Sequence, residues 1–433
     1  MQQFVKLPTY DESLALVLRH VPPLGVERVA LALALGRVLR EDVRADRDQP
    51  PFDRSAMDGF AVRSSEVKER EWFPVKGTIP AGASPSLFQN EMPAGAVMRI
   101  ATGAPLPRGA DAMVPIEQAV VEGEGESGGD GERVSFVMPS VRPWQNVHRR
   151  GVDAATGGVV LRAGTRLSGR HIGIAAAVGA ADLVVAQQPR ITLLTSGDEV
   201  RPFDTPTDAL EPQQIRNSNG PLLGAFFEAL DAPLLEHRHL SDEPEETLAA
   251  AREALSRSHI VVTNGGVSVG QRDHLPWAWR QLGLHTVLHG VAIQPGRPVL
   301  VCSDGVERDE GTQGRRDEGT SKLVLGLPGN PVSVLATAHL FVWPAMRLMM
   351  NGHDAARATL PWRGVTLREA VKVSSRREVF RAAKVHTDGS ASVIQWHGSG
   401  DLMHTAEADG LVRLPLQDEE VPAGTAVAYL DFV

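Results

Sequence analysis

The segment TNGGVSVGQRDH, residues 263–274, follows a short apolar run and gathers Gly265, Gly266 and Gly270 around the Ser268 hydroxyl. Backbone N–H groups in a loop of this kind can point into one concavity and hold a phosphate or another oxyanion. No Gly-Lys-Ser/Thr follows, so it is not a Walker loop, and a plain Gly-rich crossover turn would use the same residues. The stretch Gly266-Val-Ser268-Val-Gly270 also matches the G-x-S-x-G pattern of a nucleophile elbow, which makes Ser268 a candidate hydrolase nucleophile. That chemistry requires an acid and then a histidine downstream. Asp273 is too close for a typical triad acid, and His285 and His289 fall within an apparent strand, where they read as satisfied core or edge residues.

A second candidate is GLPGNPVSV, residues 326–334, where Asn330 is placed to cap a helix beginning at Pro331, with Pro328 and Gly329 leading into it. Exposed amides at such a helix start welcome an anion, although a well-capped helix needs no ligand. Polar groups recur at other strand ends: Ser196, Gly197, Asp198 and Glu199 after RITLL, Ser218 and Asn219 before a helix, and Asp242 where a helix cap would also stand. Their shared location points to one large polar crevice. No Cys/His cluster has zinc spacing, so a metal here would be Mg²⁺ held by carboxylates. Near the N-terminus, SAMDGFAV packs Asp58 and Gly59 between apolar residues, and Asp58 is either a site residue or a turn-former.

The elements that must position these groups follow from periodicity. RITLLTS, APLLEHRHL and HIVVT read as strands, and LLGAFFEAL and EETLAAAREAL as helices. Such alternation implies a parallel sheet covered by helices, whose ligands bind beyond the carboxyl ends of the strands. Thr9 and Glu12 form a capping-box pattern ahead of an amphipathic helix. Residues 48–144 break into short apolar runs punctuated by Pro and Gly, which suits a β module whose acidic insert EGEGESGGDGE is a solvated loop. The Ala-rich HIGIAAAVGAADLVVA reads as a helix and a strand, and the repeated RDEGT of residues 308–320 as a hairpin extension without a core. Beyond about residue 350 the chain resembles a small β domain.

With 433 residues the chain exceeds what one core supports, so several domains are expected. A net charge of -9 without a Lys/Arg block argues against nucleic acid as a partner. The single cysteine, Cys302, excludes an intrachain disulfide and reads as a buried apolar residue in a reducing compartment. Neither a signal peptide nor 18 consecutive uncharged apolar residues occurs, so the expectation is a cytoplasmic protein with no membrane partner.

Taken in order, SAMDGFAV, RIATGAPLPRGADAMVPIE, LLTSGDEV, IRNSNG, TNGGVSVGQRD and GLPGNPVSV resemble the molybdopterin molybdenumtransferase family, the MoeA type, which includes the C-terminal part of animal gephyrin. The resemblance implies a multidomain α/β plus β fold. Its parts are an elongated linking and dimerisation domain (1–47 and 145–187), an inserted β module (48–144), a MogA-like parallel-sheet α/β molybdopterin-binding domain (188–345) and a C-terminal β domain (346–433). It further implies a homodimer with its site at the subunit interface, supplied by a molybdopterin adenylyltransferase and followed by downstream cofactor-handling proteins. The implied reaction inserts molybdate into adenylylated molybdopterin with Mg²⁺ and releases AMP.

By the same resemblance Asp58, Thr102, Glu199, Asp242 and Asp273 are the catalytic set, with Asp58, Asp242 and Asp273 holding the metal. Ser218, Asn219, Gly265, Gly266, Ser268, Gly270, Pro295, Gly296, Arg297, Pro328, Gly329, Asn330 and Pro331 bind the pterin, while Arg376 and Ser399 serve molybdate. The chain departs from the family pattern where Gln294 and Arg297 replace lysines, Val152 stands for Glu, Asn264 for Ser and Asp409 for Asn. Neutral Gln294 cannot supply the lost cation. A non-catalytic molybdopterin-binding or scaffold protein of the same fold is the alternative these departures motivate.

Overall fold

The computed structural model describes residues 7–68, 71–123, 131–266, 274–305, 321–351, 355–373, 377–416 and 420–433. The first element is helix α1 (Tyr10–Arg19), where Thr9 and Glu12 make the reciprocal capping box and Asp11 and Glu12 meet the positive end of the helix. The chain then divides into two compact units: residues 28–35 and 41–183 form one, and residues 1–27, 36–40 and 184–433 the other, which includes α1.

The first unit is built on β1 (Arg54–Ser55), β2 (Gly59–Val62), β3 (Trp72–Ile79), β4 (Val97–Ile100), β5 (Ala112–Pro115), β6 (Ala119–Glu122) and β7 (Arg133–Phe136). Six of them form a sheet in the order β5-β2-β4-β3-β7-β6. Phe60, Phe73 and Phe136 meet in its core, with ring centroids 5.8 and 6.1 Å apart for the two pairs that share Phe136. Most of the acidic insert lies outside the described residues, but its two ends do not behave as solvated loop. Glu122 and Arg133 pair across the β6–β7 hairpin, and Glu132 is 2% exposed, bound to Arg99, which also lies over the Phe60 ring. A buried carboxylate is tolerated here because it is paired. The unit also contains α2 (Gly169–Ala177), the helix expected in the Ala-rich stretch.

The second unit contains β8 (Ile191–Ser196), α3 (Asn219–Ala229), β9 (Glu236–Leu240), α4 (Pro244–Arg257), β10 (Ile260–Asn264), α5 (Leu275–Gln281), β11 (His285–His289), β12 (Ile293–Gln294), β13 (Leu300–Ser303), β14 (Leu323–Leu327) and α6 (Pro331–Met350). The sheet runs β9-β8-β10-β14-β13-β11. The first four strands are mutually parallel, as the alternating pattern implies, whereas β13 pairs antiparallel with both β14 and β11. Alternate side chains enter opposite cores: Leu323, Leu325 and Leu327 pack on the α1, α3 and α6 side, and Val324 on the α4 and α5 side. Both faces are therefore covered, which explains strands that read as unbroken apolar runs. Among the described residues α6 alone is long and apolar enough to cross a membrane, and it is almost wholly buried in this core. It carries one π-helical turn, Ala338–Val342.

The same unit ends in β15 (Arg363–Leu367), β16 (Glu378–Val385), β17 (Ser390–Val393), β18 (Gly410–Leu414) and β19 (Ala426–Asp431), which close into a five-stranded barrel through the β16–β18 pairing. Val379, Val412 and Tyr429 fill its interior. Helix α1 is pinned to it: Tyr10 lies edge-on to Phe341 and Phe380, and Arg413 reaches Asp11 at 2.7 Å and Glu378 at 2.5 Å. Asp409 holds the barrel by accepting the Val385 N–H at 2.9 Å. Cys302 is buried in β13, and burial pushes its thiol up to about 11. His285 and His289 sit exposed on the edge strand β11.

Candidate functional site

In the first unit, Asp58 occupies the turn from β1 to β2. Its Oδ1 accepts both the Thr102 N–H at 2.8 Å and the Thr102 hydroxyl at 3.1 Å, and the group is exposed. Gly59 makes this turn possible. A Cβ there would lie 2.1 Å from the Val114 carbonyl oxygen of the adjoining strand β5. Ser55 donates its hydroxyl to the Met57 carbonyl at 2.6 Å, which tightens the loop. Asp58 is thus both turn-former and presented carboxylate.

In the second unit, a cavity of about 480 Å³ opens at the carboxyl ends of β8, β9, β10 and β14. Its lining includes Glu199, Ser218, Asn219, Asp242, Gly265, Gly266, Gly329, Asn330 and Pro331, each from a loop or helix start that follows a strand end. A second cavity of about 390 Å³ shares Gly329 and Asn330 with it, and adds Pro295, Gly296, Arg297, Pro328 and Ser399. Gly296 has φ +105° and a Cβ there would meet Thr337 Cγ2 at 2.4 Å, so only glycine lets this loop pass over α6. Ser268, Gly270, Asp273 and Arg376 lie outside the described residues.

Three amides organise the crevice floor. Asn264 donates its Nδ2 to the Pro328 carbonyl at 2.6 Å, and Asn219 Nδ2 donates to Asn264 Oδ1 at 2.8 Å and to the Gly329 carbonyl at 2.7 Å. Asn264, placed where the family usually has Ser, therefore ties two loops together. Asn219 Oδ1 is buried with no hydrogen-bond partner among the described residues, which makes it an available acceptor at the crevice. Asn330 does not cap α6 with its side chain: its Nδ2 donates to Ser399 Oγ at 2.8 Å, fastening the 397–404 loop to the crevice instead.

The carboxylates converge on one wall. The Asp242 N–H donates to Asp198 Oδ1 at 3.2 Å, and Glu199 lines the same cavity. Burial raises the Asp242 carboxyl above its usual range, and the charges of Asp198 and Glu199 push it further. Oxygen donors are the kind Mg²⁺ takes, but among the described residues no three carboxylates here bring ligand atoms within 4.8 Å of one another, so the crevice presents no preformed Mg²⁺ cage. Sequence reasoning placed Asp198 at the crevice without a role and missed the pair His237 and His239, whose ring nitrogens lie 3.1 and 3.0 Å from Thr195 Oγ1 beneath the crevice. Their i, i+2 spacing in β9 placed both on one face. It also passed over Arg377, which lines the second cavity.

Three family models match in chain order: "MoeA N-terminal region (domain I and II)" over residues 8–179, "Probable molybdopterin binding domain" over 192–348 and "MoeA C-terminal region (domain IV)" over 364–432. A molybdopterin molybdenumtransferase of Synechococcus elongatus is 34% identical over 427 residues, 97% of this chain and 98% of that protein. One from Staphylococcus aureus (strain MRSA252) is 30% identical over 407 residues, 92% and 89% of the two chains. The crystal structure of the molybdopterin biosynthesis MoeA protein from Pyrococcus horikoshii OT3 is similar with a TM-score of 0.78 and 26% identity, covering 99% of this chain and 100% of that one.

Proposed function

This chain belongs to the molybdopterin molybdenumtransferase family, and from that premise we propose that it inserts molybdate into adenylylated molybdopterin with release of AMP. The observation that carries the reading is the strand-end crevice itself, where a Gly- and Asn-rich rim faces the carboxylates Glu199 and Asp242, with Asp198 bound to the Asp242 N–H beside them. The rim amides at Gly265, Gly266, Gly329 and the start of α6 receive phosphate oxygens. Asn219 Oδ1 accepts an N–H of the pterin. Mg²⁺ held by Asp242 with Asp58 and Asp273 would neutralise charge where the phosphoanhydride is cleaved.

The second cavity supplies fixed donors for a tetrahedral dianion: the guanidinium groups of Arg297 and Arg377 and the Ser399 hydroxyl. Molybdate would be taken up there, next to the pterin. We place the protein in the cytoplasm as a homodimer, in which the Asp58–Thr102 turn of one subunit completes the crevice of the other. Its substrate comes from a molybdopterin adenylyltransferase, and cofactor-handling proteins accept the product.

The test is single-turnover release of AMP from adenylylated molybdopterin with molybdate and Mg²⁺, comparing the parent with Asp58→Ala. The reading expects release by the parent and its loss in the variant. Binding without release by the parent would instead support a non-catalytic molybdopterin-binding protein, the reading that neutral Gln294 on the second cavity wall would favour. A serine hydrolase acting through Ser268 predicts labelling by a fluorophosphonate probe, and family membership weighs against it.

A further inference from the structure

We propose that His397, Asp401 and His404 form a separate metal site for a first-row divalent transition ion such as Zn²⁺. The segment HGSGDLMH brackets one aspartate with two histidines at spacings of four and three residues. Both rings turn Nδ1 toward the same carboxylate: His397 Nδ1 lies 3.1 Å and His404 Nδ1 2.7 Å from Asp401 Oδ2. One ligand atom from each of the three residues falls within 4.8 Å of the others. The edge of a coordination tetrahedron with bonds of about 2.0–2.1 Å is about 3.3 Å. The two nitrogen–oxygen separations lie near such an edge, and an ion would bind as the exposed rings turn from the carboxylate toward a common centre.

Asp401 is the anchor. Its Oδ2 accepts the His397 backbone N–H at 2.9 Å, its Oδ1 faces the His404 N–H at 3.4 Å, and its side chain is only 15% exposed. The two rings stand at 85% and 51% exposure, which leaves an open approach and positions for water on the ion. A turn needs the aspartate and the amides, but not two imidazoles against one carboxylate. Two nitrogen donors select a borderline transition ion over Mg²⁺, which prefers oxygen.

Binding would also brace the crevice. The same loop carries Ser399, whose Oγ accepts from Asn330 at 2.8 Å and whose carbonyl accepts the Val332 N–H at 3.0 Å. The site is distinct from the Asp198, Glu199 and Asp242 group and does not depend on the reaction proposed above.

The experiment uses the full chain without a histidine tag, stripped with a chelator and titrated with Co²⁺ and then Zn²⁺ in excess Mg²⁺. The result expected is one tight equivalent, seen in the Co²⁺ visible spectrum and displaced by Zn²⁺. His397→Gln and His404→Gln should each weaken it at least about tenfold, the scale that even a supporting partner of a metal ligand commands. His148→Gln, which alters the His148–Asp153 pair of the other unit, should leave it unchanged. Absence of a tight equivalent in the parent, or equal binding by the two glutamine variants, would overturn the assignment.

Discussion

Gly59→Ala tests whether the Asp58 turn is held by backbone contact rather than by its own hydrogen bonds. The new Cβ would stand 2.1 Å from the Val114 carbonyl oxygen, 2.9 Å from Pro115 Cα and 3.0 Å from Ile116 N, all backbone atoms. Close carbon–oxygen contacts across a sheet lie at about 3.3–3.6 Å. Strand β5 must then retreat by more than an ångström from its Gly59–Pro115 register, which loosens the Ile116 N–H to Asp58 carbonyl bond of 3.1 Å. Overpacking of this kind costs about 1–3 kcal/mol and a weakened hydrogen bond about 1 kcal/mol more, so about 3 kcal/mol is expected. For a unit of roughly 150 residues that lowers the melting temperature by about 6–12 °C. Calorimetry should show this drop together with reduced AMP release, because Asp58 moves with the strand. Gly173→Ala is the control: nothing lies within 4 Å of its Cβ in α2, so it should be neutral or slightly stabilising. If Gly59→Ala melts within about 1 °C of the parent and turns over normally, the steric account of the turn is wrong.

The raised Asp242 carboxyl binds a proton more readily in the folded chain, so stability falls as pH rises through its range and a cation should restore it at neutral pH. Mg²⁺ should therefore raise the melting temperature at neutral pH, less in mild acid, and not at all in Asp242→Asn; an unchanged Mg²⁺ response in that variant refutes the site. His339 is 2% exposed and burial pushes it down to about 4, with Nδ1 donating to the Leu335 carbonyl and Nε2 accepting from the Val433 N–H. Its contribution is intact above the unfolded value of about 6.5 and is lost as pH falls towards about 4, about 3 kcal/mol in all. Urea midpoints for the parent and His339→Gln should diverge at neutral pH and converge in acid. Asn219→Ala removes the buried Oδ1 and the Nδ2 bridge between two crevice loops, and should weaken pterin binding about tenfold, read by pterin fluorescence, and lower the melting temperature by a few degrees through the two lost hydrogen bonds.

The strands β8, β10 and β14 were legible because burial on both faces writes itself as an unbroken apolar run, and the intervening helices marked them as parallel. Periodicity carries no direction, however. The antiparallel β13 and β11 follow the same composition rules, and their pairing depends on the hairpin-like return through residues 290–300. Glu132 shows a different limit. It closes a run of glycines and acids that has every mark of a solvated loop, yet one cation across the sheet, Arg99, makes its burial tolerable. Composition within the insert cannot announce a partner 33 residues away.

The site was legible as a set of polar strand ends but not in its roles. Asn330 and Asp242 both stand where a helix cap is the default reading, and in neither does the side chain cap. Helix α6 starts at Pro331 with Asn330 in the cap position, yet the Asn330 side chain turns from the helix amides to reach Ser399. Helix α4 also starts at a proline, Pro244, but its cap position is Glu243, so Asp242 stands outside the helix, where its backbone N–H donates to Asp198 Oδ1 and the residue lines the crevice. A polar residue beside a helix start at a parallel strand end therefore has two possible partners, the helix amides and the groups across the crevice, and only the packed loops decide between them.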